Sequence, residues 1–239
     1  MMDRVRGLIF DYGGTLDTGG CHWARFIYHG YEKRLLPVSW QQFAGAYVHA
    51  ERTLTRKRLV RPDWSFFQTL EMKIQLQLEW LAENHHWTDN KEEREGMCHT
   101  LTTMLYDKVR LMTQESAKTL KALQGQFPMV MVSNFYGNLN GVIREFALDG
   151  FFLHVVESAG VGVEKPDPQI FSIGVGKLQM PPQQVMVVGD SIDKDMVPAH
   201  QLGCQTCWLR GEGWNPPQQE HPAVDRIINR LSDLTEKEQ

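Results

Sequence analysis

The chain has 239 residues, 42% of them hydrophobic and 23% charged, so a core of useful size can be buried and extended disorder is excluded. Its net charge of -4 gives no bulk basic field to draw nucleic acid, and no run of about 18 apolar residues exists to span a membrane. The length suits one generous domain, or a core domain carrying an insertion.

At the start, Met1-Met2-Asp3-Arg4-Val5-Arg6 leads into a short apolar run that ends at Asp11. No apolar stretch with a small-residue cleavage site occurs there, so a cytoplasmic protein is expected. Gly7-Leu8-Ile9-Phe10 is short, apolar and closed by a glycine-rich turn, as a buried parallel strand is. From about Gly19 to Met112 the composition changes: Trp23, Trp40, Trp64, Trp80 and Trp87 stand among many Lys and Arg, without β-alternation. Within it, Phe67, Leu70, Ile74, Leu78 and Leu81 fall at helical spacing. An all-helical insertion is therefore expected directly after the first strand's turn. Most of its tryptophans should form its own small core, with a few facing the crevice beside it.

Further strands are expected at 129–132, 153–156, 185–188 and 205–209, separated by helices at 114–123, 139–146, 168–178 and 194–201. This alternation predicts an α/β fold with a doubly wound, mainly parallel sheet. The predicted division is a core of residues 1–18 plus 113–239 and a helical insertion at 19–112. Cys21, Cys98, Cys204 and Cys207 do not make a disulfide framework at this size. Cys204-Gln-Thr-Cys207 has redox spacing, but such pairs open helices, whereas Trp208-Leu209 continue as a strand; a buried strand cysteine is expected.

Ligands of an open parallel sheet bind outside the carboxyl ends of its strands. The first strand ends in Asp11-Tyr12-Gly13-Gly14-Thr15 and the second in Ser133-Asn134. Glu164-Lys165-Pro166-Asp167-Pro168 follows the third, and the fourth ends in Gly189-Asp190-Ser191-Ile192-Asp193-Lys194-Asp195. Alone, each has a plainer reading, since an Asp after a strand is often a helix cap and a lone Lys is usually solvated. Folded together, they would gather carboxylates, a hydroxyl and one lysine in one crevice.

In this order and character the four segments resemble the motifs of the haloacid dehalogenase superfamily. The resemblance runs from Val5 to about Leu209, and the helical insertion matches the position of that family's first-type cap. It implies a Rossmann-like core and Mg2+-dependent hydrolysis of a small phosphorylated metabolite through an aspartyl-phosphate, with Asp11 as nucleophile. Mg2+ is implied on Asp11 and Asp190, assisted by the backbone carbonyl of Gly13. Asp195, before Asp193, is implied to orient the metal's waters or Lys165. Lys165, Ser133, Asn134 and Thr15, with amides of the Gly14 turn, are implied to hold the phosphate oxygens. Closure of the cap is implied to exclude water and set substrate choice. No oligomeric state is implied.

The family's phosphatases carry a second Asp two residues after the nucleophile, for proton transfer; this chain has Gly13. A positioned acid–base group contributes roughly 10²–10⁴-fold, so the change spares binding and burdens proton transfer. Four readings stay open. The substrates are acyl or enol phosphates, whose leaving groups need little protonation. Or Asp17 or His22, on the link into the insertion, substitutes; their plainer roles are a turn Asp and a surface His. Or the chemistry differs: a metal-free dehalogenase, or a phosphonatase-like C–P hydrolase with a Schiff-base lysine such as Lys57 or Lys33. Or the chain is a phosphate-binding or regulatory module with little turnover, against which stands the retention of Asp11, Ser133, Lys165 and Asp190.

Overall fold

The computed structural model describes residues 4–88, 90–215 and 220–235. Six strands form one sheet: β1 (Gly7–Phe10), β2 (Met129–Ser133), β3 (His154–Glu157), β4 (Val185–Gly189), β5 (Gln205–Leu209) and β6 (Arg226–Ile228). They lie in the order β3-β2-β1-β4-β5-β6, with every pairing parallel. Strand order reverses between β1 and β4, which opens a crevice at their carboxyl ends. Phe10 is in register with Val188, and Asp11 N–H donates to the Val188 carbonyl at 3.0 Å. The segments carrying Asp11 and Asp190 therefore leave the sheet side by side.

Helices α1 (Trp23–Lys33), α2 (Trp40–Arg56), α3 (Phe66–Glu83) and α4 (Lys91–Leu123) are inserted between β1 and β2. Helices α5 (Leu139–Glu145), α6 (Ser158–Val161), α7 (Gln169–Leu178) and α8 (Val197–Gln201) join the later strands. Strands β1, β2 and β4 read as nearly unbroken apolar runs because both sheet faces are covered there. Ile9, Val130, Val132 and Val187 pack with Phe171 and Val175 of α7. Their neighbours Leu8, Phe10, Met131 and Val188 turn to the other face, into the core that holds Leu120, Leu123 and Leu139.

The inserted helices carry clear start signals. Ser39 and Ser65 open α2 and α3 with capping boxes, each hydroxyl accepting from the N–H of Gln42 or Gln68, whose side chain accepts in return. The buried stripe of α3 is Phe66, Leu70, Ile74, Leu78 and Leu81, with Phe67 only half-buried. Trp23, Trp40, Trp80 and Trp87 are partly buried against the same core.

Some expected boundaries move. The helix expected at 114–123 is the last part of α4, a 33-residue helix that crosses residue 112 without a break; from Met97 to Leu123 no Gly or Pro interrupts it. Strand β3 starts at His154, not Leu153, whose side chain is exposed at the sheet's edge. The element expected at 194–201 begins as a wide π-type turn, Ile192–Met196, before α8. Strand β6 was not expected: its three residues include Arg226 and give no periodicity to read. Among the described residues no helix is long and apolar enough to cross a membrane.

Candidate active site

Asp11 is 5% exposed and borders a cavity of about 930 Å³ between the carboxyl edge of the sheet and helices α2 and α3. Ser133, the last residue of β2, donates from Oγ to Asp11 Oδ1 at 2.8 Å. Lys165 Nζ stands 2.7 Å from the same oxygen and donates to Asp195 Oδ1 at 2.7 Å. Asn134 holds the lysine's backbone: its Oδ1 accepts from Lys165 N–H at 2.8 Å and its Nδ2 donates to the Lys165 carbonyl at 3.0 Å. Burial opposes the charge on Lys165, but Asp11 and Asp195 outweigh it and hold the ammonium above its usual range.

The wide turn after β4 brings Asp195 back beneath the strand it follows, where Oδ2 accepts from Ser191 N–H at 3.1 Å. Both oxygens of Asp195 thus have protein donors, one of them Lys165. A Cβ on Gly189 would stand 2.5 Å from the Asp195 carboxyl carbon. Gly14, at φ +95°, leaves room for Asp190 in the same way: its Cβ would meet that carboxylate at 2.5 Å. Asp190 takes a hydrogen bond from Thr15 Oγ1 at 3.3 Å.

Asp11, Asp190 and Asp195 each offer an oxygen within 4.8 Å of the others, facing one lysine. Burial, then the charges of Asp195 and Asp11, push Asp190 well above the usual carboxylate range. Burial likewise raises Asp195 to about 6, against the pull of Lys165. Three carboxylates against one ammonium leave a deficit of positive charge, and an all-oxygen donor set suits a hard divalent cation such as Mg2+. Asp193 is exposed and outside this cluster.

At the missing carboxylate, Gly13 borders the cavity, and a Cβ there would lie 3.7 Å from the Trp23 indole. Trp23 is tied down by Asp17: Nε1 donates to Oδ2 at 2.9 Å, while Gly14 N–H donates to Oδ1 at 2.7 Å. Asp17 is fully buried and is absent from the cavity wall; burial raises its carboxyl to about 7. The tight turn after β1 therefore spends the Gly14 amide on Asp17, and the fully buried Thr15 hydroxyl on Asp190. The Ser133 hydroxyl is engaged in the same way, by Asp11. His22 does border the cavity. It caps α1, with Nδ1 accepting from Ala24 N–H at 3.1 Å, and burial, then Lys194, lowers it to about 4. Near neutral pH it is an uncharged ring whose proton sits on Nε2.

Trp23, beside Gly13, is one of the few tryptophans that face the cavity; Glu51 on α2, Lys73 on α3 and Tyr136 after β2 were not anticipated on its wall. The one available signal was Lys73 itself, a lysine inside the apolar stripe of α3. Lys33 and Lys57 are exposed and away from that wall. Cys204 and Cys207 are buried free thiols that burial pushes up to about 12, Cys207 within β5 and Cys204 just before it, which does not suit a redox pair.

Comparison with known proteins agrees with this architecture. A dehalogenase crystal structure with an intermediate complex superposes with a TM-score of 0.64 at 20% identity, covering 98% of this chain and 97% of that one. The 5-amino-6-(5-phospho-D-ribitylamino)uracil phosphatase of Escherichia coli K12 is 28% identical over 125 residues, 50% of this chain and 51% of that protein. The chain thus spans about half the length of that curated relative. The (S)-2-haloacid dehalogenase 4A of Burkholderia cepacia is 25% identical over 239 residues, 98% of this chain and 95% of its own. Residues 5–203 match the family described as haloacid dehalogenase-like hydrolase, and the chain belongs to that family.

Proposed function

We propose that this hydrolase is a Mg2+-dependent phosphatase of a small phosphorylated metabolite, working through a phospho-Asp11 intermediate. The observation that carries the reading is the cluster of Asp11, Asp190 and Asp195 around a single Lys165. A halide displacement has no use for that excess of carboxylate. Phosphatases among the relatives, such as the E. coli protein, support the same class. Residues 1–18 plus 113–239 are taken as the catalytic core and 19–112 as the cap. The reading includes a cytoplasmic location, with no nucleic-acid or membrane partner.

Ser133 and Lys165 both grip Asp11 Oδ1, which leaves Oδ2 for the attack. As Oδ2 bonds to phosphorus, the bond to the leaving oxygen breaks and that oxygen takes the electron pair. Lys165 and Ser133 hold the oxygens of the transferred group, and Asn134 and Asp195 keep Lys165 aimed. Mg2+ bound at Asp11, Asp190 and the Gly13 carbonyl would neutralise charge on the phosphate. Gly13 supplies no proton to the leaving oxygen, so turnover of alkyl phosphates is expected to be slowed by roughly 10²–10⁴-fold, while their binding is spared.

The test is phosphate release from a panel of metabolite phosphates with and without Mg2+, including acetyl phosphate, a 2-haloacid and phosphonoacetaldehyde. Mg2+-dependent phosphate release that is lost in Asp11→Asn is expected. Undiminished turnover in that variant removes Asp11 as nucleophile. Metal-independent halide release turns the assignment to a dehalogenase, a reading favoured by Gly13, since halide leaves without a proton. Silence on every substrate turns it to a phosphate-binding module.

A further inference from the structure

The wall that α2 and α3 give the cavity carries an ion pair, buried at Lys73 and half-buried at Glu51, that the phosphoryl chemistry does not use. Lys73 is 7% exposed, and its Nζ lies 2.7 Å from Oε1 of Glu51. The rings of Trp23, Tyr47 and Tyr136 surround the ammonium, with centroids 5.4, 5.9 and 5.2 Å away. Tyr136 comes from the core, and its hydroxyl donates to Glu51 Oε2 at 2.7 Å. All five side chains border the same cavity as Asp11.

An ammonium has three donors to satisfy. Among the described residues Lys73 has one ion-pair partner, Glu51 Oε1, and that atom has no hydrogen bond of good geometry. The other donor directions meet aromatic rings and the cavity. Burial works against the charge, but Glu51 more than restores it, so Lys73 stays protonated. A buried charge with so few acceptors is costly unless something else brings one, and the cavity is where it would arrive.

Glu51 decides what kind of oxygen that is. Lys73 and Glu51 together carry no net charge, so a carboxylate or second phosphate beside Lys73 meets Glu51 at nearly the same distance. Attraction and repulsion then largely cancel. A hydroxyl satisfies both partners, accepting from Nζ and donating to Oε2, while the ring faces beside it suit C–H surfaces. We propose that Lys73 and Glu51, with Trp23, Tyr47 and Tyr136, form a leaving-group subsite that takes a polyhydroxylated group, a polyol or sugar carried as its monophosphate. The proposal rests on the phosphatase reading for the position of the phosphate, but its binding is separable from turnover.

The experiment measures affinity by titration calorimetry in the Asp11→Asn protein with Mg2+. The probes are ribose 5-phosphate and glucose 6-phosphate against pentyl and hexyl phosphate, and phosphoglycolate. Sugar phosphates should bind about 10–100-fold more tightly than the alkyl phosphates, the worth of one charge-assisted hydrogen bond. Lys73→Met, which fills similar space, should shrink that ratio to under about threefold. Glu51→Gln removes the repulsion and should shift preference toward phosphoglycolate by about tenfold. If Lys73→Met fails to fold by circular dichroism, Tyr136→Phe replaces it and should lower the ratio by about three- to tenfold. Equal affinity for sugar and alkyl phosphates, or a ratio unmoved by these variants, overturns the subsite. Hydrolysis of p-nitrophenyl phosphate by the Asp11 protein is scored alongside. Its absence with sugar-selective binding intact overturns the phosphatase reading and leaves the subsite standing.

Discussion

Replacing Asp17 with Asn should flatten the dependence of stability on pH. Asp17 is fully buried between Gly14 N–H and Trp23 Nε1, and burial raises its carboxyl from 3.8 to about 7. Between those values the unfolded chain has given up a proton that the folded chain keeps. Stability from this group is therefore complete below the unfolded value and is lost as pH rises through about 7. At roughly 1.36 kcal/mol per pH unit the loss reaches about 4 kcal/mol, or about 8–16 °C in Tm for a chain of this size. Asn does not titrate, so any fixed cost it brings at Gly14 or Trp23 is the same at every pH. Urea unfolding of both proteins, free of Mg2+, from about pH 4.5 to about pH 8.5 isolates the effect. Their difference should move in favour of Asn by about 3 kcal/mol across that range. A difference constant within about 1 kcal/mol refutes the reasoning.

Gly14→Ala places a Cβ against the Asp190 carboxylate and forces a non-glycine residue to φ +95°. It should cost about 1–2 kcal/mol of stability and lower Mg2+ affinity by about 10–100-fold, read from the Mg2+ dependence of phosphate release. His22→Asn keeps a side chain able to cap α1. With the ring already neutral near pH 7, the ratio of alkyl to aryl phosphate hydrolysis should stay within about threefold of the parent. A selective loss of more than about tenfold on alkyl phosphates makes His22 the missing proton donor.

The chemistry at the strand ends was legible because it is written in local sequence. Asp11, Ser133 and Asp190 each follow an apolar run that reads as a buried strand, and Lys165 follows another; sheet order then brings them together. What could not be read is what depends on the path of a turn or on partners distant in sequence. Nothing near Gly14 or Thr15 says that Asp17 and Asp190 claim their donors, because the turn's curvature decides it. The filling of Gly13's side by Trp23, and the meeting of Glu51, Lys73 and Tyr136, need helices packed on one another before they exist. The run of α4 past residue 112 was hidden by the change of composition on either side, though its backbone has no reason to stop there.

That helix has a mechanical consequence. Its 33 residues make a rod about 50 Å long. One part packs on α3 within the insertion, and its end reaches the short helical turn Leu231–Leu234 beside the sheet. The insertion's other tether is the short link between Leu16 and Trp23. A stiff rod and a short strap leave few ways to move: the upper helices swing about the rod's axis, as a door on its post, or the rod bends. Displacement under such a motion grows with distance from the post. The Glu51–Tyr136 hydrogen bond, which ties α2 to the core, would then part as the helices swing open.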